Sequence, residues 1–253
     1  MRPPQEQPVR DRHVAEPTIT VVYDSKAGAS NLAVGWGFAA VLSGTDRTIL
    51  FDTGPGAELL ENMRSLEIDP ESIDAAVISH NHPDHAGGLR HLLRAKPGIT
   101  VYVPKPSAKS LRRTISGCGG QFVEVGGPTR ICPNVVSTGP LGRWIKEQSL
   151  IVTTRAGVVI LAACSHPGIL KIARKAKALT GRRIELVLGG FHLERKRKSA
   201  ILKIVSAFER WKVKHVALGH CTADKAEAVF RAHFAGSCTI LAAGTSIHLS
   251  DLA

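Results

Sequence analysis

The sequence predicts an α/β protein, with its strands in one mixed sheet or two sheets and helices packed outside them. Three observations carry this. In both halves of the 253 residues, strand-like runs precede helix-like ones. Hairpin spacings mix with helical crossovers, so both antiparallel and parallel pairing are needed. Ligand-type residues stand at the C-terminal ends of strands, at His80, Cys164 and His220, where α/β proteins usually place their chemistry.

The elements follow in order. Apolar runs place strands at Thr18 to Tyr23, Gly37 to Leu42 and Thr48 to Phe51, and a helix from Ala57 to Ser65. Next come a strand over 74–79, a His-rich turn, a helix over 85–95 and a strand from Ile99 to Val103. Residues 105–145 are broken by Gly and Pro and carry no clear period. Ser149 to Thr154 and Gly157 to Ala163 form two strands about a turn at Arg155-Ala156-Gly157. The pattern then alternates: helix 168–179, strand 184–188, helix 198–211, strand 214–218, helix 223–234, and short strands at 238–242 and 246–249. No repeat of the solenoid kind stands out.

Composition bounds the function. Hydrophobic residues make up 43% of the chain, enough for a sizeable core. No apolar run approaches the roughly 20 residues that span a bilayer, so no membrane partner is expected. Residues 1–16 are polar and Pro-rich, with no apolar h-region. They read as a flexible extension to a domain over 17–253, not as a secretory signal. The five Cys are odd in number, widely spaced and without a Cys-x-x-Cys pair, which suits a reducing, cytoplasmic setting. The formal charge of +12 concentrates late, around Lys171–Lys177, Arg182-Arg183 and Arg195–Lys198. Such a field favours anionic ligands. It also suits nonspecific nucleic-acid binding, although aromatics, at 5%, are scarce for a stacking platform. The simplest account of the charge is a set of solvated basic helix faces.

The most informative stretch is His80-Asn81-His82-Pro83-Asp84-His85. Three imidazoles and a carboxylate fall on one strand-to-helix turn, so they can converge without help from distant chain. Neutral imidazole and carboxylate are ordinary ligands of zinc and its first-row neighbours. Three further strands end alike, in small residues and then a His: Ala163-Cys164-Ser165-His166, Gly189-Gly190-Phe191-His192 and Gly219-His220-Cys221-Thr222. A His at one strand end is more often structural than not. Its repetition beside the cluster at 80–85 points to one convergent metal site.

His80-x-His82-x-Asp84-His85 resembles the signature of the metallo-β-lactamase superfamily, and Leu50-Phe51-Asp52-Thr53-Gly54 resembles a strand and turn that come earlier in it. The likeness runs from about residue 18 to the end. Within that family the Cys-Ser-His, Gly-Gly-Phe-His-Leu and His-Cys-Thr blocks are similar to a subgroup of dihydropterin-ribofuranosylaminobenzene 5′-phosphate synthase-like proteins. The resemblance implies a four-layer αβ/βα sandwich and two divalent metal ions, zinc in the first instance, with manganese or iron as alternatives. It implies His80 and His82 on the first metal, and Asp84, His85 and His220 on the second. Many relatives place a further His before a bridging Asp. No His lies between His91 and His166 here, and Cys164 stands where that Asp would come. His166 is therefore read as completing the first site. Cys164 either bridges the metals or packs as a small buried residue. His192 is read as a substrate contact in the first instance, with a ligand role as the alternative. Ser165 is read as a substrate contact, with no Gly-x-Ser-x-Gly elbow to make it a nucleophile. Asp52 is read as orienting an imidazole by hydrogen bonding.

The expected activity is metal-dependent hydrolysis of a small, anionic, phosphorylated or pterin-linked molecule. Two close metals lower the pKa of a shared water toward neutrality and give a hydroxide nucleophile, with Asp84 positioning the water and passing a proton. Alternatives are a pterin-pathway synthase, as the subgroup implies, and a metal-dependent nuclease. The nuclease is disfavoured by the absence of a large inserted domain. A non-enzymatic iron scaffold like the flavodiiron proteins is disfavoured too. Those usually carry an acidic ligand in the first cluster and an attached flavin domain.

Overall fold

The computed structural model describes residues 17–252, so the expected extension over 1–16 lies outside the described residues. The first sheet takes β1 (Thr18–Tyr23), β2 (Ala39–Ser43), β3 (Ile49–Phe51), β4 (Ala75–Val77), β5 (Thr100–Pro104) and β6 (Gln121–Val125) in chain order. Its seventh strand, β14 (Ser246–His248), returns from the far end of the chain to pair antiparallel with β1. The second sheet holds β7 (Thr129–Cys132), β8 (Val135–Ser137), β9 (Leu150–Thr153), β10 (Val158–Ala162), β11 (Ile184–Gly189), β12 (His215–Leu218) and β13 (Cys238–Ile240), also in chain order.

Both sheets are mixed in the same sense. In the first, β1, β2 and β3 pair antiparallel, and β3 through β6 pair parallel. In the second, β7 through β10 pair antiparallel, and β10 through β13 pair parallel. The two halves thus repeat one architecture, which the sequence does not display as a repeat. The physical requirement is shared: a parallel pair needs a crossover, so a helix follows most of these strands.

Helices cover the outer faces and complete four layers. Against the first sheet pack α1 (Glu58–Ser65), α3 (Leu89–Ala95) and α4 (Ala108–Gly117). Against the second pack α5 (Ile169–Thr180), α6 (Lys198–Arg210) and α7 (Asp224–His233). Between the sheets lies a core of Ile19, Val21, Phe51, Val77, Leu150, Val152, Val159, Leu161 and Leu188. In β10, Val159 and Leu161 face this core, while Val158, Ile160 and Ala162 face the helices. A strand covered on both faces has no polar side, hence its continuous apolar run.

Two expectations are corrected. The helix expected over 85–95 is two pieces, a single turn α2 (Pro83–Ala86) and then α3, separated by Gly87 and Gly88. A Cβ on Gly88 would stand 2.2 Å from the Thr53 carbonyl oxygen, and one on Gly87 would stand 2.0 Å from that of Pro55. The backbone here packs directly on the 53–56 turn, which only glycine permits. The unreadable stretch 105–145 holds α4, β6, β7 and β8. Their alternation is weak because β6 is half exposed and β8 is three residues long.

A candidate metal centre at the strand ends

The predicted site residues converge where the parallel strands of both sheets end. Asp52 follows β3, and Ser79 and His80 follow β4. His82 is the extended residue at the start of α2, with Pro83 at its first helical position, and Asp84 and His85 occupy that turn. From the second sheet, Cys164, Ser165 and His166 follow β10, His192 follows β11, and His220 follows β12.

The side chains fall into two adjoining sets. His80, His82 and His166 each offer a ligand atom within 4.8 Å of the others, and so do Asp84, His85, Cys164 and His220. In the first set the His80 Nε2 to His82 Nδ1 distance is 3.0 Å. In the second, His85 Nε2 lies 3.2 Å from His220 Nε2, 3.1 Å from Cys164 Sγ and 3.2 Å from Asp84 Oδ2. The sets abut, with the His80 and His85 ring centroids 4.3 Å apart.

Buried carboxylates stand behind the imidazoles. Asp52 is fully buried, and its Oδ2 lies 2.8 Å from His85 Nδ1. It also accepts from the Ser79 backbone N–H and hydroxyl, each at 2.6 Å. The Ser79 hydroxyl in turn lies 2.8 Å from His80 Nδ1. Asp52 thereby steers an imidazole of each set, which turns their Nε2 atoms inward.

Two carboxylates that sequence reasoning passed over hold the second sheet's ligand segments, Glu147 through an imidazole and backbone and Asp24 through backbone alone. Glu147, fully buried, accepts from the backbone N–H groups of Cys164, Ser165 and His166, at 3.1, 2.8 and 2.8 Å. Its Oε2 is 2.9 Å from His166 Nδ1. Asp24, immediately after β1, accepts the His220 backbone N–H at 3.0 Å. A signal existed for Asp24, since it ends a buried strand as the predicted ligands do. Glu147 offered none, because it is a single acidic residue shortly before β9 and belongs to no motif.

The electrostatics suit a cation. Burial opposes a proton on His85, but the Asp52 carboxylate outweighs it and pushes the imidazole up to about 10. Burial, then the facing His85, brings His220 down to about 3. Burial likewise drives His80 far below the ordinary imidazole value, helped by His85, His166 and His82. Burial would raise Asp84, yet its contact with His85 holds it below the usual carboxylate range. With Nδ1 of His85 on Asp52, its Nε2 faces Asp84 Oδ2, Cys164 Sγ and His220 Nε2, atoms that can each ligate a metal ion in place of a proton. Nitrogen, sulfur and oxygen donors so arranged fit divalent metal.

Four positions at the centre have left-handed backbone without being glycine: Asp52, Ser165, His192 and His220, with φ of 59°, 63°, 54° and 47°. Such strain clusters at functional sites. The other predicted residues separate. His192 is exposed, with its ring centroid 4.7 Å from that of His166. Ser165 is buried, and its hydroxyl donates to the Gly190 carbonyl at 2.6 Å.

The centre opens onto a cavity of about 200 Å³ lined by His80, His82, Ser107, Trp144, Ile145 and Lys146. Trp144 is 86% exposed, and Trp36 tilts against His220 at 4.9 Å. A larger groove, about 440 Å³, lies between α5 and α6 and is lined by Arg174, Lys203, Arg210 and Trp211. It shares no residue with the ligand sets. Among the described residues no helix is long and apolar enough to cross a membrane.

The family profile described as the metallo-beta-lactamase superfamily matches residues 35–168, more than half of the chain. The chain belongs to the metallo-beta-lactamase superfamily. Within it, the chain is 31% identical to a Methanocaldococcus jannaschii protein named 7,8-dihydropterin-6-methyl-4-(beta-D-ribofuranosyl)-aminobenzene-5'-phosphate synthase, across 81% of this chain and 85% of that one. Among solved structures, Tm1679, described as a metal-dependent hydrolase of the beta-lactamase superfamily, superposes with a TM-score of 0.81 at 28% identity, covering 92% of this chain and 99% of that one. Human tRNase Z, short form, shares the superfamily fold, with a TM-score of 0.61 at 16% identity over 91% of this chain and 98% of its own.

Proposed function

We propose that this superfamily member is a dinuclear, zinc-dependent hydrolase of a small anionic molecule in the cytoplasm. The abutting ligand sets carry the reading: His80, His82 and His166 for one ion, Asp84, His85, His220 and Cys164 for the other. When bound, two such ions lower the pKa of a water and polarise the substrate oxygen under attack.

The chain's own residues supply the rest. Asp52 and Glu147 hold His85 and His166 in register, so each imidazole offers its inward nitrogen without rotating. Asp84, partly open to solvent beside His85, is placed to orient a water and take its proton. Lys146 in the cavity lining favours a negatively charged substrate, and Trp144, with Arg143 stacked on it, offers an aromatic surface. The 31% likeness to a named synthase supports a second reading, in which the same centre joins a phosphorylated substrate to its partner instead of hydrolysing it.

Elemental analysis of wild type, His82→Ala and His166→Ala separates these from a non-catalytic fold. We expect at least two zinc per chain, the content falling in both variants, and turnover of phosphoester, lactone or thioester probes that falls with it. A protein that binds no metal, even on titration, would sink both catalytic readings.

A further inference from the structure

The proposed centre leaves one thiol unassigned. Cys221 directly follows His220 and is 1% exposed. Its Sγ, the Cys164 Sγ and a ring nitrogen of His192 all lie within 4.8 Å of one another. Three consecutive parallel strands bring them together: Cys164 follows β10, His192 follows β11 and Cys221 follows β12. Gly190 makes the space, since a Cβ there would stand 2.8 Å from the Cys221 sulfur. The left-handed backbone at His192 brings its ring to the same place from the exposed side.

We propose that Cys164, His192 and Cys221 form a thiolate-rich subsite for a soft divalent ion such as zinc, cobalt or cadmium. Two sulfurs and an imidazole are a donor set such ions accept, with a fourth position open to solvent beside the exposed His192. Cys164 is shared, because its sulfur also lies 3.1 Å from His85 Nε2 and 3.2 Å from His220 Nε2. It therefore bridges the subsite to the Asp84–His85–His220 set. Binding releases one proton from each thiol and changes no oxidation state. The inference rests on the proposed reading of Cys164 as a ligand, and not on hydrolysis as the reaction.

Cobalt titration of the metal-free full chain tests it. Sulfur-to-cobalt absorption in the near ultraviolet reports thiolate ligands, whereas the visible bands report the ion's overall geometry. Wild type should show both. Cys221→Ser should keep the visible bands and lose about a third or more of the ultraviolet intensity, since Cys221 supplies one of three sulfur–metal bonds when Cys164 bridges, and Cys164→Ser with Cys221→Ser should lose all of it. His192→Ala, at an exposed position, should weaken the ultraviolet-active ion by about tenfold or more, and it decides the matter if the buried serine variant misfolds. Ultraviolet absorption unchanged in Cys221→Ser, or in His192→Ala where the serine variant does not fold, overturns the subsite while visible bands persist. Absence of both signals in wild type would instead overturn the metal centre itself.

Discussion

At the residue scale, three buried carboxylates hold the ligand-bearing segments. Asp52 serves the 80–85 turn, Glu147 the 164–166 turn and Asp24 the His220 backbone. Burial alone would keep such groups neutral. It does raise Asp24 to about 6, but the His166 contacts outweigh it at Glu147 and hold that carboxyl below its ordinary value. Glu147 therefore acts as an anion facing four donors, each worth about 1.5–3 kcal/mol as a charge-assisted bond. Glu147→Gln keeps the shape but turns an amide N–H₂ toward donors. Metal affinity should fall about 10–100-fold, measured by competition against a chromophoric chelator. Unchanged affinity would remove Glu147 from the positioning role. The site was unevenly legible for a physical reason. His80 to His85 converge by local chain geometry, so adjacency in sequence is adjacency in space. Glu147 and Asp24 reach their partners across 19 and 196 residues, through pairing that no local pattern encodes.

At the scale of elements, the His-rich turn is placed by backbone contact rather than by helix propensity. Thr53 donates its backbone N–H and hydroxyl to the His85 carbonyl, at 2.8 and 2.9 Å. Gly88 then lets α3 start against the same turn. Replacing Gly88 by Ala forces a methyl group into the Thr53 carbonyl, and neither backbone segment can yield cheaply. Overpacking of this kind costs about 1–3 kcal/mol. Gly88→Ala should lower the urea midpoint and loosen the second ligand set, both read on one sample by unfolding and metal titration. Full stability with normal binding would show that the turn tolerates displacement. Sequence pattern located strands such as β1 and β10 within about a residue, because burial on both faces makes them apolar throughout. It missed β6, β7 and β8, where one face meets solvent or the strand is too short to show a period. It also merged α2 with α3, since glycines that serve close packing look like tolerated interruptions of a helix.

At the scale of the molecule, the ligand sets join two halves that also meet through an apolar core and a few polar contacts, among them Asp24 with His220 and Lys26 with Glu227. The 80–85 residues belong to the first sheet and Cys164, His166 and His220 to the second. Each set takes ligands from both sheets, so opening the sandwich must break both. Gln148 adds a metal-independent tie, donating from the second half to the carbonyls of Ile78 at 2.7 Å and Tyr102 at 3.2 Å. Together with the inter-sheet core, that tie should keep the metal-free protein folded. Metal should then act as a ligand of the native state alone, adding RT ln(1 + [L]/Kd), about 4 kcal/mol at a thousandfold excess over Kd. For a chain of this size, each kcal/mol moves the midpoint by roughly 2–4 °C. Zinc should therefore raise the thermal midpoint of chelator-treated protein by about 8–16 °C per ion bound at that excess. His220→Ala should remove part of the rise. A metal-free midpoint that zinc does not move would mean that the strand ends hold no ion across the two sheets. A metal-free chain with no cooperative transition would show that Gln148 and the apolar interface do not suffice to keep the halves together.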